Sequence, residues 1–440
     1  MTPLYFAHLS QLHVQTEQLL EEHQFDQMLI GSGGLHKHFL DDTRYPFRPN
    51  PHFVHWAPFL TQHPDCWLLV RPNKKPLMFY YTPKDFWHLT PDLPAADWAK
   101  GFEWVAYDNV SAILSVVAQF NTAVISEAAF IGETALDQKP FSHNPNGLIQ
   151  SINFNRAVKT EWEQHCLREA NYLAVKGHRA ALQGFESGLS EYEIHQAYLS
   201  AVQHNERDLP YDNIVGLNEH AAVLHYQFQQ HSAPSQHRTL LIDAGARFNG
   251  YAADITRTFT QPGSLFADLV RGLDDLQLQL CHQISAGSHF VALHEQMHLM
   301  IADLLNRFGI VTANPEEQLE QGITRAFYPH GLGHLLGLQV HDVGGWQQDA
   351  TGRIKQPPAE HPFLRLTRTL ETGYVITVEP GIYFIPQLLA ELKASPAASQ
   401  INWALIEQLL PYGGIRIEDN LCVSKDGSEN YTRDGFAKLA

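Results

Sequence analysis

The sequence predicts an α+β fold in two domains, a smaller α/β unit over residues 1–155 and a larger unit over residues 156–440. Three observations carry that reading. The first third alternates short apolar runs with helical stretches. A helix-start signature then appears just beyond residue 155. After it, long amphipathic helices are interleaved with strand pairs in which charged and apolar residues alternate, the pattern of an antiparallel sheet. At 440 residues, 44% hydrophobic and 18% charged, the chain is long enough to bury two cores and shows no disorder signature.

In the first unit a helix is expected from about Leu4 to Glu22. Met28-Leu-Ile30, Trp67-Leu-Leu-Val70, Leu77-Met-Phe-Tyr-Tyr81 and Ala123-Val-Ile125 are short apolar runs bounded by Gly, Pro or Asn, as strands should be. Arg71-Pro-Asn-Lys-Lys-Pro76 fits a hairpin link. No catalytic constellation stands out here, and Asp41-Asp42 read most simply as loop carboxylates.

In the second unit Thr160-Glu-Trp-Glu163 is a capping-box pattern, and Trp162, Cys166, Ala170, Leu173, Ala174, Ala181 and Leu182 follow at helical spacing until Gly184 and Gly188. A second box, Ser190-Glu-Tyr-Glu193, opens a helix through about Gln203. Further helices fit Ser264–Ser285 and Leu293–Arg307, the latter stopped by Gly309. Strands are expected at Asn213-Ile-Val215, in a hairpin over residues 240–258, at Val375-Ile-Thr-Val378, at Gly414-Ile-Arg-Ile417 and at Leu421-Cys-Val423.

A formal net charge of −17 argues against a nucleic-acid partner held through phosphates. No run approaches the roughly 20 apolar residues of a membrane span. The first ten residues hold no basic leader with an apolar run and cleavage site. The four cysteines are far apart, without a Cys-x-x-Cys pair, and read as reduced thiols of a cytoplasmic protein. With 26 histidines in the chain, any single one is weak evidence.

The chemistry centres on Asp243 and Asp254, each in an otherwise apolar strand of the hairpin turning at Asn249-Gly250. Pairing about that turn puts them opposite or diagonally opposite on one face, roughly 5–8 Å apart at Cβ. Buried carboxylates that face each other are costly. Either one stays protonated or a cation sits between them. Downstream, Pro329-His330-Gly-Leu-Gly333-His334-Leu-Leu-Gly337 has too many glycines for a helix and suits an extended segment that approaches a site closely. His341-Asp342 follows. Thr377-Val-Glu379-Pro380-Gly381 ends an apolar strand in a carboxylate. In Gly414-Ile-Arg416-Ile-Glu418, alternation puts Arg416 and Glu418 on one face. Asp243, Asp254, Glu379 and Glu418 supply negative charge and His334 a neutral nitrogen, a set that two divalent cations would neutralise. Such oxygen-rich ligation favours Mn²⁺ and is compatible with Co²⁺, Zn²⁺ or Fe²⁺. His294-x-x-x-His298 also has ligand spacing on a helix, but no matching carboxylates surround it and it is set aside.

Taken together, Ile-Asp243-Ala-Gly, Ala-Asp254-Ile-Thr-Arg-Thr, His-Gly-Leu-Gly-His334, Val-Glu379-Pro-Gly and Arg-Ile-Glu418-Asp resemble the five-ligand set of the dinuclear pita-bread peptidases. Within that group the likeness is to the bacterial prolidases (Xaa-Pro dipeptidases) and their relative, organophosphorus acid anhydrolase. It extends to Phe39-Leu-Asp-Asp42, Pro51-His-Phe53 and Asp85-Phe-Trp-His88, and so covers nearly the whole chain. The resemblance implies a pita-bread C-terminal domain preceded by a creatinase-like α/β domain. It implies hydrolysis of dipeptides with a C-terminal proline by a bridging hydroxide. Asp243 would serve one metal, His334 with Glu379 the other, and Asp254 with Glu418 both, with Glu379 also carrying a proton to the leaving nitrogen.

The resemblance also makes His225, His330 and His341 substrate-side histidines that steady the carbonyl oxygen. Arg416 would bond a substrate carboxylate or orient Glu418, and Arg365 would clamp the proline carboxylate. Tyr211 would line the pocket, and Asp42 would reach it from the partner in a homodimer. Phe290 stands where the organophosphate-hydrolysing relatives carry a pocket tyrosine, which puts that side activity in question. Rival expectations are aminopeptidase P-like cleavage of longer Xaa-Pro peptides, phosphotriester hydrolysis as the main activity, and a metal-free peptide-binding pseudoenzyme.

Overall fold

The computed structural model describes residues 2–87, 89, 91–127 and 141–439, so His88 of the Asp85–His88 motif lies outside the described residues. The chain divides into two compact units. One is Met1–Arg156 with Thr160–Trp162 and Asp349–Arg353; the other is Ala157–Lys159 with Glu163–Gln348 and Ile354–Ala440.

Among the described residues, the N-terminal unit is built on six strands, β1 (Gln27–Gly31), β2 (Trp67–Arg71), β3 (Lys74–Tyr81), β4 (Glu103–Tyr107), β5 (Thr122–Ile125) and β6 (Ser142–His143), in the order β4-β3-β2-β1-β5-β6. β1 runs antiparallel to β2 and parallel to β5, and both β1 and β5 are buried at every position. That is why they appear in the sequence as unbroken apolar runs. β4 and β6 escape the sequence reading. β4 is a half-exposed edge strand without clean alternation, and β6 is two residues long. The hairpin link is shorter than expected. β3 begins at Lys74, and Asn73 turns the chain with a φ of 55°.

In the C-terminal unit the Ser190 box forms as read. Ser190 Oγ accepts the Glu193 amide at 3.3 Å, and Glu193 Oε2 accepts the Ser190 amide at 2.8 Å. A cap of this kind is worth about 1 kcal/mol to the helix Glu191–Val202 that follows. Helix Leu265–Cys281, capped by Ser264, turns Phe266, Leu269, Leu273 and Leu280 inward. Each of those side chains stabilises by about 1.5–3 kcal/mol. Helix Phe290–Arg307 begins three residues before the expected start, and Gly309, at φ 68°, turns the chain away beyond its end. Helices Pro315–Glu320, Pro386–Lys393, Trp403–Leu409 and Tyr431–Lys438 were not read from sequence, being too short to repeat a helical period convincingly.

The sheet is broken into pieces. β7 (Ile214–Leu217), β8 (Thr239–Asp243) and β11 (Thr256–Thr260) form one three-stranded antiparallel group in the order β11-β8-β7. The pair β9 (Arg247–Phe248) and β10 (Tyr251–Ala252) extends its hairpin. β12 (Val375–Val378), β15 (Asp419–Ser424) and β16 (Gly427–Asn430) form a second group, and β13 (Gly381–Tyr383) pairs with β14 (Gly414–Arg416). Single bridges stitch the groups together, Thr256 to Glu418 and Leu335 to Ile376. Among the described residues, no helix is long and apolar enough to cross a membrane.

Candidate metal centre

The hairpin keeps one antiparallel register from β8–β11 to its tip. Thr256 pairs with Asp243, Ala253 N donates to Ala246 O, and Tyr251 pairs with Phe248. Asn249 and Gly250 both take positive φ, 49° and 86°, as the tight turn requires. Asp254 precedes by two residues the partner of Asp243. The two carboxylates are therefore diagonal neighbours on one face. Gly245 lies across from Asp254, and a Cβ there would collide with the Ala253 carbonyl and the Tyr211 ring.

His334 comes from the glycine-rich segment, which does approach backbone closely. A Cβ on Gly333 would run into the Thr377 carbonyl. The amide of His334 donates to Thr377 Oγ1 at 3.0 Å, and Thr377 N donates to His334 O at 3.0 Å. Glu379 leaves the end of β12 with its amide bound to Leu332 O at 2.8 Å, and Glu418 is held by its amide to Thr256 O at 3.0 Å. Ligand atoms of Asp254, His334 and Glu418 lie within 4.8 Å of one another, and all three residues are buried.

Arg416 is the cation the protein itself brings. Its Nη2 donates to Asp243 Oδ2 at 2.7 Å, its Nη1 to the Tyr383 hydroxyl at 2.9 Å and its Nε to Thr256 Oγ1 at 3.1 Å. Thr256 passes its own hydrogen to Glu418 Oε2 at 2.7 Å. Three nitrogens of Arg416 are thus engaged inside the site, which favours its orienting task over contact with a substrate carboxylate. Tyr211, half-buried, donates its hydroxyl to Asp243 Oδ1 at 2.7 Å and so lies against the proposed ligands.

The three histidines expected on the substrate side fall into two kinds. His225 and His341 are exposed, and the His341 ring sits edge-on to His334 with centroids 4.5 Å apart. His330 is half-buried and already committed. Its Nδ1 faces Gly331 O at 2.9 Å, an acceptor only, so Nδ1 carries the hydrogen. Its Nε2 then accepts from the Tyr383 hydroxyl at 2.8 Å. Neutral His330 has no spare N–H for a substrate oxygen in this arrangement. Arg365 is exposed, and its charge lies close enough to His341 to bear on that ring. Asp42 lies on an exposed loop of the N-terminal unit. Phe290 is fully buried in the core of the C-terminal unit.

Sequence reasoning missed Tyr383, Thr256, Thr377 and Asn420, whose side chain accepts the Asp254 amide at 3.0 Å. A signal existed for two of them. Thr256 and Asn420 each lie two residues from a proposed ligand and so share its face. Tyr383 gave none, because its neighbours come from elsewhere in the chain.

Protein atoms alone do not balance this charge. Four carboxylates face one guanidinium. Burial, reinforced by Asp254, Glu379 and Asp243, pushes Glu418 well above the usual carboxylate range. Burial lifts Glu379 to about 7 and also raises Asp243. Asp254 goes the other way: burial opposes ionisation, but the His334 ring holds its carboxyl down. His334 is raised despite burial, because Asp254 and Glu379 attract a positive charge to it. Burial and Arg416 hold His330 down at about 3, while burial and His334 do the same to His341.

The geometry of His334 tests the fit to metal. Its Nδ1 faces Leu335 O at 3.0 Å and must carry the hydrogen there. Nε2 then aims at Asp254 Oδ2, 3.3 Å away, and Glu379 Oε1, 3.5 Å away. A lone pair and two carboxylate oxygens converge, and only a cation reconciles them. A proton would meet part of that demand. Divalent cations meet it together with the charge on Asp243 and Glu418, so the residues fit.

Residues 3–154 match the family described as the N-terminal domain of Xaa-Pro dipeptidase, and residues 165–425 match metallopeptidase family M24. The chain is similar to the Xaa-Pro dipeptidase of Cronobacter sakazakii (47% identical, covering 99% of this chain and 98% of that protein). Its similarity to the Xaa-Pro dipeptidase of Shewanella amazonensis is 43%, over 99% and 98%. In fold it resembles aminopeptidase P from E. coli with the inhibitor Pro-Leu, at a TM-score of 0.71 and 24% identity over 93% of this chain and 91% of that one. A variant of the E. coli enzyme in complex with substrate gives a TM-score of 0.74 at 23% identity, over 98% and 95%.

Proposed function

Since this chain belongs to the Xaa-Pro dipeptidases of metallopeptidase family M24, we propose that it hydrolyses dipeptides with a C-terminal proline at a pair of divalent cations. The observation that carries the reading is the convergence of Asp254, His334, Glu379 and Glu418, with Asp243 diagonal to Asp254 across the hairpin.

Asp243 would hold one cation and His334 with Glu379 a second, while Asp254 and Glu418 would contribute to both. The oxygen-rich set favours Mn²⁺. When bound, the cations polarise the scissile carbonyl and lower the pKa of a water so that hydroxide is available near neutral pH. Glu379 has the most exposed side chain of the four carboxylates (18%, against 14% for Asp243 and 7% for Asp254), Glu418 being buried. That exposure supports Glu379 as the residue that carries the proton to the leaving nitrogen. His225 and His341, open to solvent, offer N–H groups to the carbonyl oxygen. His330 acts through Tyr383 as a positioning residue, Tyr211 and Arg416 hold Asp243, and Arg365 clamps the proline carboxylate. The four cysteines are free and buried, in keeping with a cytoplasmic location. A homodimer would bring Asp42 of one copy to the pocket of the other.

The test is turnover of Ala-Pro and Leu-Pro by protein reconstituted with Mn²⁺. Hydrolysis of both is expected, and silence at full metal occupancy overturns the reading. A pentapeptide beginning Xaa-Pro should be cleaved far more slowly than the dipeptide; the reverse order would make the enzyme aminopeptidase P-like. Phosphotriester hydrolysis is in question, because Phe290 brings no hydroxyl and its ring is buried in the core. A fluorophosphate assay run beside Leu-Pro ranks the two by kcat/KM.

A further inference from the structure

Helix Phe290–Arg307 carries His294 and His298 one turn apart, each only 1% exposed. The spacing alone shows a pair. The fold supplies a third ring, His361, more than sixty residues along the chain. Ring centroids are 4.3 Å apart for His294 and His361, 4.7 Å for His298 and His361, and 4.7 Å for His294 and His298. One ring nitrogen from each lies within 4.8 Å of the other two.

The hydrogen bonds leave nitrogens free. His298 Nδ1 faces Thr324 Oγ1 at 3.0 Å, which commits that nitrogen and frees Nε2. His298 Nε2 and His294 Nδ1 are both buried with no hydrogen-bond partner among the described residues, and so is the neighbouring Tyr328 hydroxyl. The Tyr328 ring packs 4.6 Å from His298 and 5.6 Å from His294. A buried polar group is normally paired, so three unpaired together call for an occupant. Burial holds His294 down at about 2 and His298 at about 3, and it lowers His361 as well. All three rings are therefore neutral at physiological pH. Their lone pairs are available to a metal; Arg325 nearby further disfavours protons on His298 and His361, while Glu295 and Glu360 pull the other way on His361. On one side lies a cavity of about 500 Å³, lined by His294, His361, Tyr328 and His330 among others.

We propose that His294, His298 and His361 form a second metal site, distinct from the carboxylate centre, which takes one borderline transition cation of the Zn²⁺ class with its fourth position facing the cavity. Three neutral imidazoles without a carboxylate select the opposite way from the main centre. They suit Zn²⁺, Cu²⁺ or Ni²⁺ and disfavour Mn²⁺. Zn–N bonds of about 2.0–2.1 Å in a tetrahedron require the three nitrogens, now within 4.8 Å of one another, to close in to roughly 3.4 Å. His361, half-buried in a turn, is the ring free to make that movement.

The experiment uses the full chain carrying Asp254→Asn and His334→Ala, which disables the carboxylate centre, with Zn²⁺ alone as the probe. Calorimetric titration should find one equivalent of Zn²⁺ and none of Mn²⁺. Co²⁺ should give the intense visible bands of four-coordination. Adding His361→Gln should weaken Zn²⁺ binding at least tenfold and abolish those bands. Absence of Zn²⁺ binding in a folded background, or binding unaffected by His361→Gln, overturns the proposal. If the double variant does not fold, the same comparison is made on the chain with its carboxylate centre preloaded with Mn²⁺. There, one further equivalent of Zn²⁺ that disappears with His361→Gln supports the site, and its persistence overturns it.

Discussion

Thr256 donates its hydroxyl hydrogen to Glu418 Oε2 at 2.7 Å while accepting one from Arg416 Nε at 3.1 Å, so one small side chain sets the direction of both charged groups. Thr256→Val keeps the shape and removes the hydroxyl. Metal affinity should fall roughly 10–100-fold, the usual cost of losing a partner behind a ligand. Thr256→Ser should restore most of it. Titration of the stripped protein with Mn²⁺ checks both, and unchanged affinity in the valine variant would remove Thr256 from the site.

Asp243 and Asp254 are not equivalent in the proposed centre, and metal counting separates them. Asp243→Asn should retain one cation per chain, whereas Asp254→Asn should lose both or bind them only weakly. Elemental analysis after gel filtration reads the difference. Equal retention by the two variants would contradict the assignment of Asp254 as the shared ligand.

Tyr383 ties His330 to Arg416 through one oxygen. Its ring is seated against Gly381 and Gly414, where a Cβ would meet it, so Tyr383→Phe should keep the ring in place. The variant should lose about 1–3 kcal/mol for the polar atoms left unpaired. It should also lower kcat on Leu-Pro with metal content unchanged. Melting curves and elemental analysis together distinguish this from general unfolding.

Glu379 gives the cation-stripped chain a pH signature. Its carboxyl is pushed up from the ordinary 4.5 to about 7, first by burial. The folded state therefore binds the proton more tightly than the unfolded one. The resulting stabilisation is fully present below about pH 4.5 and is lost as pH rises through about 7. Relative to Glu379→Gln, which does not titrate, the stripped wild-type chain should melt progressively lower across that window. Added Mn²⁺ should raise the wild-type Tm more at about pH 7.5 than at about pH 5, because metal replaces protons on the carboxylates. Parallel curves for the two proteins would refute the assignment.

What could be read beforehand depended on how local the determinants were. The Asp243–Asp254 hairpin was legible because Asn249-Gly250 fixes a two-residue turn and alternation does the rest. The Ser190 capping box was legible because Ser190 and Glu193 lie three residues apart in the chain. His334, Glu379 and Glu418 could be grouped by charge and context, although their meeting depends on single bridges such as Leu335 to Ile376 and Thr256 to Glu418. Tyr383 was not legible. In Gly381-Ile-Tyr-Phe384 it looks like core, and only the pairing of β13 with β14 brings Arg416 beneath it. His361 was hidden likewise, since nothing near it in sequence points to helix Phe290–Arg307.

The unbroken register of the hairpin makes it a ruler. Its two aspartates are eleven residues apart along the chain, yet their relation is set by how many rungs separate each from the Asn249-Gly250 tip. One residue added to or removed from a single arm, between Ala244 and Phe248 or between Tyr251 and Ala253, would turn one carboxylate to the opposite face while its partner stayed. Length changes can be absorbed only at the tip or by matched pairs of residues in both arms. Evolution of this loop is thus constrained by parity, independently of which side chains it carries.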